Sequence, residues 1–321
     1  MPDKFNIYVT RQIPAAGLEI LKREAGGFEI NAADNPHSTE ELKAKVAGRD
    51  GVVCLLTDIM NAEVFDAAGP SLKVVANVAV GYNNIDVKAA AARGIIVTNT
   101  PGVLTDTTAD LAWALLLASA RRLGESERVV RAGKWPGWGI LQFLGQDISG
   151  KTLGIVGAGR IGWAVAKRAK GFDMPVLYTS RSPKPEMDEL GAKHVDLDIC
   201  LKQSDFVSLH VPLTAETRHL IGKRELEMMK PTAHLINTAR GPVIDEAALV
   251  DALKSRRIAG AALDVYEEEP RIHPGLFELE NAVLAPHIGS ATTETRGKMA
   301  RMAAENCIAV LQGRKPPNPV N

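Results

Sequence analysis

The chain has 321 residues, of which 45% are hydrophobic and 24% are charged, an ordinary balance for a protein that buries a large core. At roughly 150 residues per domain, this length predicts two domains. Because 38 basic residues balance 38 acidic ones, the net charge gives no broad field that would attract nucleic acid or an anionic membrane. We therefore expect neither as a partner and look for a local site that binds a small molecule.

Signals for export, membrane insertion and metal binding are weak throughout the sequence. Residues 1–10 lack the basic start and apolar stretch of a signal peptide, and no apolar run reaches the roughly 18 residues of a membrane span. Cys54, Cys200 and Cys307 are odd in number and lack the spacing of a zinc site. These observations predict a cytoplasmic protein without a metal site.

Short runs of Val, Ile and Leu alternate with helical stretches through the first hundred residues. The runs predict strands at 5–9, 51–56, 74–78 and 95–97, and the segments between them predict helices at 15–24, 39–47, 62–68 and 87–93. Alternating strands and helices are typical of a parallel sheet that is covered on both faces.

The middle of the chain departs from this alternation. A long helix is predicted from about residue 106 to residue 122, with Leu111 and Leu115 on one apolar face. The segment 133–150 that follows is rich in glycine, carries Trp138 and predicts irregular structure.

A second strand and helix series starts at Lys151. Its predicted strands lie at 152–156, 176–179, 206–209, 234–236, 259–263 and 283–285, and a final helix is predicted at 293–311. The whole order therefore predicts an α/β fold of two modules, each with a doubly wound parallel sheet.

A glycine-rich turn follows the predicted strand at 152–156. It reads Gly157-Ala158-Gly159-Arg160-Ile161-Gly162. The first glycine permits a tight turn, the second lets the backbone approach a pyrophosphate, and the third lets helix and strand pack closely. The next helix offers its N-terminal N–H groups to phosphates. The motif predicts a dinucleotide site, with a tight turn that binds no ligand as the alternative.

The end of the strand at 176–179 distinguishes the two nicotinamide dinucleotides. An NAD site usually has Asp or Glu there, which accepts a hydrogen bond from the ribose 2′-hydroxyl. Here Ser180, Arg181 and Lys184 follow the strand without a carboxylate. A guanidinium pairs with a 2′-phosphate, whereas a solvated basic loop is the alternative interpretation. The sequence therefore predicts NADP(H) as the preferred cofactor, with NAD(H) as the alternative.

Polar side chains follow three of the later predicted strands, where ligands bind in open parallel sheets. Arg240 would hold a carboxylate through its planar guanidinium. His287 would exchange a proton with a carbonyl oxygen, and Glu269 would orient its ring and favour the imidazolium. A nicotinamide cofactor would supply the hydride. Each residue alone is more often structural, but together they predict reduction of a 2-oxo acid.

Several segments spread over nearly the whole chain carry a resemblance to a known family. They are residues 80–86 (VGYNNID), residues 99–102 (NTPG), the glycine turn, residues 210–213 (HVPL), residues 237–241 (NTARG), residues 263–270 (LDVYEEEP) and residues 286–290 (PHIGS). Together they resemble the D-2-hydroxyacid dehydrogenases, and specifically the glyoxylate/hydroxypyruvate reductase branch. The formate dehydrogenase branch is similar but has Gln at the position of Glu269. The first segment departs from the family at Asn83, where Asp is common.

The resemblance implies reduction of glyoxylate or hydroxypyruvate to the D-2-hydroxy acid and a role for each site residue. The implied catalytic residues are Arg240, Glu269 and His287. The implied substrate-binding residues are Leu56, Val80, Gly81, Arg240 and His287, with backbone N–H groups near Val80 and Gly81 on the substrate carboxylate. The implied cofactor-binding residues, besides residues 157–162 and the loop of Ser180, Arg181 and Lys184, are Thr108, Pro212, Thr238, Asp264 and Gly289. Asp264 would hold the nicotinamide carboxamide.

The resemblance also implies an architecture. A Rossmann cofactor domain, residues 100–287, would be inserted in a flavodoxin-like substrate domain formed by residues 1–99 and 288–321, and the chain would form a homodimer. Two alternatives stay open. A phosphoglycerate dehydrogenase-like NAD enzyme is disfavoured by the basic loop at Arg181 and by the short stretch after Leu311. A cofactor-sensing protein that resembles a corepressor is disfavoured because no docking tail or basic DNA patch is found.

Overall fold

The computed structural model describes residues 5–321, and these fall into two compact units. One unit holds the described residues up to Leu104 together with Ser290–Asn321, and the other holds Thr105–Gly289. The first four residues of the predicted substrate domain lie outside the described part of the chain. Among the residues that are described, no helix combines the length and the apolar character needed to cross a bilayer.

Both units are built from short strands and the helices that connect them. The strands are β1 Ile7–Val9, β2 Glu29–Ile30, β3 Gly51–Cys54, β4 Val74–Asn77, β5 Ile96–Thr98, β6 Leu153–Val156, β7 Val176–Thr179, β8 Lys193–His194, β9 Phe206–Leu209, β10 His234–Asn237, β11 Gly260–Leu263 and β12 Ala282–Leu284. The helices are α1 Ala15–Ala25, α2 Thr39–Val46, α3 Ala62–Ala68, α4 Val87–Ala92, α5 Thr105–Ala120, α6 Leu123–Arg131, α7 Arg160–Ala169, α8 Pro185–Asp188, α9 Leu197–Gln203, α10 Lys223–Met228, α11 Glu246–Lys254, α12 Pro274–Phe277 and α13 Thr293–Leu311.

The first unit contains a parallel sheet in the order β2-β1-β3-β4-β5 among the described residues. Every residue of β3 and β4 is buried, which explains why these strands read as continuous apolar runs in the sequence. Helix α13 returns from the C-terminal segment and packs on α1. A Cβ at Gly17 would lie 2.6 Å from the carbonyl oxygen of Ala300, so glycine permits this close approach. The strand order is the flavodoxin-like one that the family resemblance implied.

The second unit contains a parallel sheet in the order β12-β11-β10-β9-β6-β7-β8 among its described residues. The chain order reverses between the neighbouring central strands β6 and β9. The crevice at their carboxyl ends is therefore the topological switch point where dinucleotides bind in such folds. Helices α5 and α7 cover one face around Trp113, Leu116 and Ile155. The other face packs around Leu209, Leu235 and Leu253. The predicted α/β fold of two doubly wound parallel sheets is therefore confirmed.

The predicted strands and helices are confirmed to within a few residues. No bounds were predicted for the edge strands β2 and β8, for α6 or for the helices α8 to α12 of the second unit. The edge strands β2 and β8 have only two residues each, too few for a periodic pattern. Helix α6 has no buried residue and only two residues separate it from the end of α5, so no separate bounds were predicted for it. The segment 133–150 contains neither helix nor strand, as predicted.

Candidate active site

The glycine turn has the conformation that its spacing predicts. Gly157 has φ 102°, and a Cβ there would lie 2.7 Å from a neighbouring main-chain carbonyl. A Cβ at Gly162 would lie 2.2 Å from the carbonyl oxygen of Gly157, so the helix could not pack as closely. At Gly159, no atom of the described residues other than its own and those of its two chain neighbours lies within 4 Å of the place of a Cβ. Helix α7 begins at this open position with Arg160 and Ile161 in its first turn, an arrangement that fits a pyrophosphate.

The loop after β7 is fixed by contacts of its own. The Ser180 hydroxyl donates to a carbonyl two residues further along at 2.6 Å, and His194 Nε2 lies 3.0 Å from the Ser180 carbonyl oxygen. The backbone N–H of Lys184 donates to the Tyr178 hydroxyl at 2.9 Å. Arg181 is exposed. Hydrogen bonds therefore fix the backbone of this loop, and the Arg181 guanidinium extends from it into solvent. The contact of these residues with a cofactor stays a prediction.

Two of the three predicted catalytic residues are in direct contact in the second unit. Nδ1 of His287 lies 2.7 Å from Oε2 of Glu269, and Oε1 of Glu269 accepts the backbone N–H of Tyr266 at 3.0 Å. Burial alone would raise the pKa of Glu269, but the bond to His287, the Tyr266 N–H and the Arg240 guanidinium together lower it. Burial lowers the pKa of Arg240, and the Glu269 carboxylate opposes that shift. Arg240 and Glu269 therefore lie within electrostatic range of each other.

Asp264 holds the backbone that carries His287. The backbone N–H of His287 donates to the Asp264 carbonyl oxygen at 2.9 Å, while those of Ile288 and Gly289 donate to Oδ1 and Oδ2 at 2.7 and 2.8 Å. The Gly289 carbonyl accepts the Thr108 hydroxyl at 3.2 Å. His287 has φ 53°, an uncommon conformation for a residue other than glycine. The sequence suggested a cofactor contact for Asp264 but not this role in the loop, because the bonds join residues more than twenty positions apart.

Two further predicted cofactor residues lie at strand ends of the second unit. The Thr238 side chain is buried just after β10, and its hydroxyl has no hydrogen-bond partner among the residues that the structure describes. An unsatisfied buried hydroxyl is costly, so its position fits a polar group of a ligand. Pro212 is exposed after β9, and its carbonyl oxygen accepts the Thr217 hydroxyl at 2.6 Å.

The predicted substrate residues of the first unit follow two neighbouring parallel strands. Leu56 lies after β3 and is 36% exposed. Val80 and Gly81 lie after β4 and are half-buried. Because β3 and β4 pair in parallel, their carboxyl ends bring these two loops to one edge of the sheet.

Two buried asparagines join these loops, a contact that the sequence did not reveal. Nδ2 of Asn84 donates to the carbonyl oxygens of Leu55 and Asp58 at 3.1 and 3.0 Å. Nδ2 of Asn77 donates to the Gly81 carbonyl oxygen at 3.0 Å and lies 3.3 Å from Oδ1 of Asn84. The network fixes the main chain of Gly81 relative to the loop after β3. Asn84 lies within the motif at residues 80–86, and no role was predicted for it from the sequence.

Comparisons with known proteins agree with this arrangement. Residues 113–289 match the family described as D-isomer specific 2-hydroxyacid dehydrogenase, NAD binding domain. The glyoxylate reductase of Thermococcus litoralis is 54% identical over 325 residues, which cover 99% of this chain and 97% of that protein. A structure of the TT0316 protein from Thermus thermophilus superposes with a TM-score of 0.92 at 47% identity, covering 98% of this chain and 100% of that one. An NADPH-dependent glyoxylate/hydroxypyruvate reductase from Sinorhizobium meliloti, in complex with NADP and malonate, gives a TM-score of 0.85 at 35% identity, covering 99% and 97%.

Proposed function

The chain belongs to the D-isomer specific 2-hydroxyacid dehydrogenase family, and from that premise we propose that it reduces glyoxylate or hydroxypyruvate to the D-2-hydroxy acid. It is an NAD(P)-dependent oxidoreductase. The observation that carries the proposal is the imidazole of His287 bonded to a carboxylate at 2.7 Å, with the Arg240 guanidinium in electrostatic range of that carboxylate. Relatives named glyoxylate reductase support this choice of substrate.

The side chains of the second unit suit the proposed reaction. Arg240 would bind the substrate carboxylate, since its charge persists at any working pH. Glu269 holds Nδ1 of His287, so Nε2 would be the nitrogen that delivers a proton to the oxygen of the former carbonyl group. Asp264 would keep the His287 backbone in its left-handed conformation during turnover. When bound, the nicotinamide supplies the hydride.

NADPH is the cofactor that we favour. Ser180, Arg181 and Lys184 follow β7 without a carboxylate, and a guanidinium is suited to a 2′-phosphate. A relative whose name describes it as NADPH-dependent gives further support. NADH is the alternative, at lower affinity.

Each unit then has its own task. The second unit, with the glycine turn, would be the cofactor domain predicted at residues 100–287. The first unit would be the substrate domain predicted at residues 1–99 and 288–321, since Val80 and Gly81 would bind the substrate carboxylate through their backbone N–H groups.

We also propose that the chain forms a homodimer. The segment 133–150, here called the Trp arm, exposes a run of apolar side chains. Trp138 and Leu141 are each 79% exposed and Ile140 is 72% exposed. Contiguous apolar exposure of this kind is unusual on a monomer, and a second copy of the chain would cover it.

The test of the proposed activity is a panel of 2-oxo acids assayed with NADPH and with NADH. We expect the highest kcat/KM with glyoxylate or hydroxypyruvate and NADPH. Oxidation of 3-phosphoglycerate with NAD at a higher kcat/KM would assign the chain to a different enzyme. Absence of turnover with every member, in protein that binds NADPH, would favour a sensing role and overturn the proposal.

A further inference from the structure

The three consecutive glutamates after β11 have three different sets of partners. Glu268 is solvent-exposed and pairs with Arg271 at 2.9 Å. Glu269 contacts His287. Glu267 contacts another part of the unit: its Oε2 accepts the backbone N–H of Glu246, the first residue of α11, at 3.2 Å. The acidic run is therefore not a uniform solvated surface.

Glu246 returns the contact. Its side chain is buried, at 7% exposure for the residue, and its Oε2 accepts the backbone N–H of Glu267 at 2.8 Å. Its Oε1 accepts the backbone N–H of His273 at 3.0 Å. One buried carboxylate thus holds both ends of residues 267–273, the segment within which Glu269 lies. We call the reciprocal pair Glu246 and Glu267 the carboxylate clamp.

His219 joins the clamp to the segment that carries Arg240. Its Nε2 lies 2.5 Å from Oε1 of Glu267, and its backbone N–H donates to the Pro242 carbonyl oxygen at 2.8 Å. The two segments also touch directly, because a Cβ at Gly241 would lie 1.8 Å from the carbonyl group of Tyr266. The main chain next to Arg240 and the main chain next to Glu269 are therefore packed against one another.

We propose that Glu246 and Glu267 are positioning residues that fix Glu269 against His287, with His219 linking them to the Arg240 segment. The inference rests on the proposed roles of His287 and Glu269. It follows from geometry: catalytic groups act only when they are held close to the productive arrangement, and small displacements can cost orders of magnitude in rate. An ionised carboxylate only accepts hydrogen bonds, so one such group can hold two backbone N–H groups of the same loop.

Glu246→Gln is the informative substitution. The amide keeps the volume and one acceptor oxygen, but its NH₂ group then faces a backbone N–H, so one of the two bonds is lost. Glu267→Gln keeps an acceptor for the Glu246 N–H but loses the carboxylate that faces Nε2 of His219, and it is the milder change. Glu268→Gln is the matched control, because it removes the same charge from the adjacent exposed position.

The experiment measures kcat, KM and NADPH affinity for these variants of the full chain with glyoxylate. We expect Glu246→Gln to lower kcat at least tenfold with NADPH affinity within twofold of wild type, and Glu268→Gln to leave kcat unchanged. Should Glu246→Gln fail to fold, Glu267→Gln carries the test, with an expected loss of about threefold to tenfold. A folded, fully active Glu246→Gln variant would overturn the inference, as would a full-rate Glu267→Gln when Glu246→Gln is not folded.

A double-mutant cycle separates positioning from a general structural defect. If the clamp acts through Glu269, adding Glu246→Gln to Glu269→Gln should lower kcat by no more than twofold further, because the positioned group is already gone. Losses that multiply in the double variant would overturn the inference. A Glu269→Gln single variant with wild-type kcat would instead refute the proposed role of Glu269, an outcome distinct from failure of the clamp.

Discussion

Oε2 of Glu269 lies 2.7 Å from Nδ1 of His287, and the residue that carries this imidazole has φ 53°. The ring is therefore oriented from both ends, by a carboxylate at Nδ1 and by Asp264 at the backbone. Strained backbone of this kind is held only where the surroundings fix it, and it is concentrated at functional sites.

Replacing His287 by Ala should lower kcat by about 10²–10⁴-fold, because the variant loses its proton donor to the substrate oxygen. NADPH should bind as in the wild type, since the glycine turn is untouched. Steady-state assays give kcat, and fluorescence titration gives the Kd for NADPH. Near-normal turnover in the variant would contradict the assigned role.

Glu269→Gln should also lower kcat, and its pH dependence follows from the lowered pKa of Glu269. A carboxyl group with a lowered pKa stays ionised until the pH falls below that value, so its support of His287 should persist throughout the neutral range. The advantage in kcat of wild type over Glu269→Gln should therefore be lost only in acid, below the ordinary glutamate pKa of about 4.3. An advantage that is already lost near pH 6 would show that the carboxylate protonates there.

Arg181→Ala should raise the KM for NADPH at least tenfold and leave the KM for NADH within about twofold, because only NADPH carries the 2′-phosphate. Lys202→Ala, an exposed lysine on α9, is the control for loss of a positive charge. Parallel assays with the two cofactors measure the effect. Equal changes for NADPH and NADH would count against the assignment of this loop to the ribose phosphate.

If the proposed dimer forms through the Trp arm, Leu141→Glu should convert it to a monomer, since the substitution places a charge within that apolar surface. Light scattering after gel filtration measures the mass. Ile199→Glu, which charges another exposed apolar side chain of the same unit, should leave the mass unchanged. A wild-type protein that elutes with the mass of one chain would rule out the dimer.

The fold was readable from the sequence where short apolar runs marked buried strands and where a longer segment showed a helical period. Strand β7, an apolar run, and helix α13, a long helical segment, were placed without error. The carboxyl ends of parallel strands then gave the general position of Arg240, Glu269 and His287. The sequence could not give the contacts that fix them, because Glu246 meets Glu267 and Asp264 meets Ile288 across more than twenty residues. Contacts between such distant residues produce no repeating pattern in the sequence.

Acid should destabilise the second unit through His234. The residue is 6% exposed, its Nδ1 lies 2.8 Å from the Ser119 hydroxyl, and burial lowers its pKa to about 4. In the unfolded chain the pKa returns to about 6.5. Between these two values the unfolded state binds more protons, so the free energy of unfolding falls as the pH falls, by about 2 kcal/mol between pH 7 and pH 5.

Denaturant unfolding of wild type and His234→Gln at pH 7 and pH 5 tests the direction and the magnitude of this change in the free energy of unfolding. All four tryptophans (Trp113, Trp135, Trp138 and Trp163) lie within Thr105–Gly289, so tryptophan fluorescence reports on the unit that contains His234. The glutamine does not titrate, so the loss of stability between the two pH values should be about 2 kcal/mol smaller in the variant. His194→Gln, at an exposed histidine, controls for the removal of an imidazole. Equal pH dependence in wild type and His234→Gln would mean that the buried ring accepts a proton without unfolding.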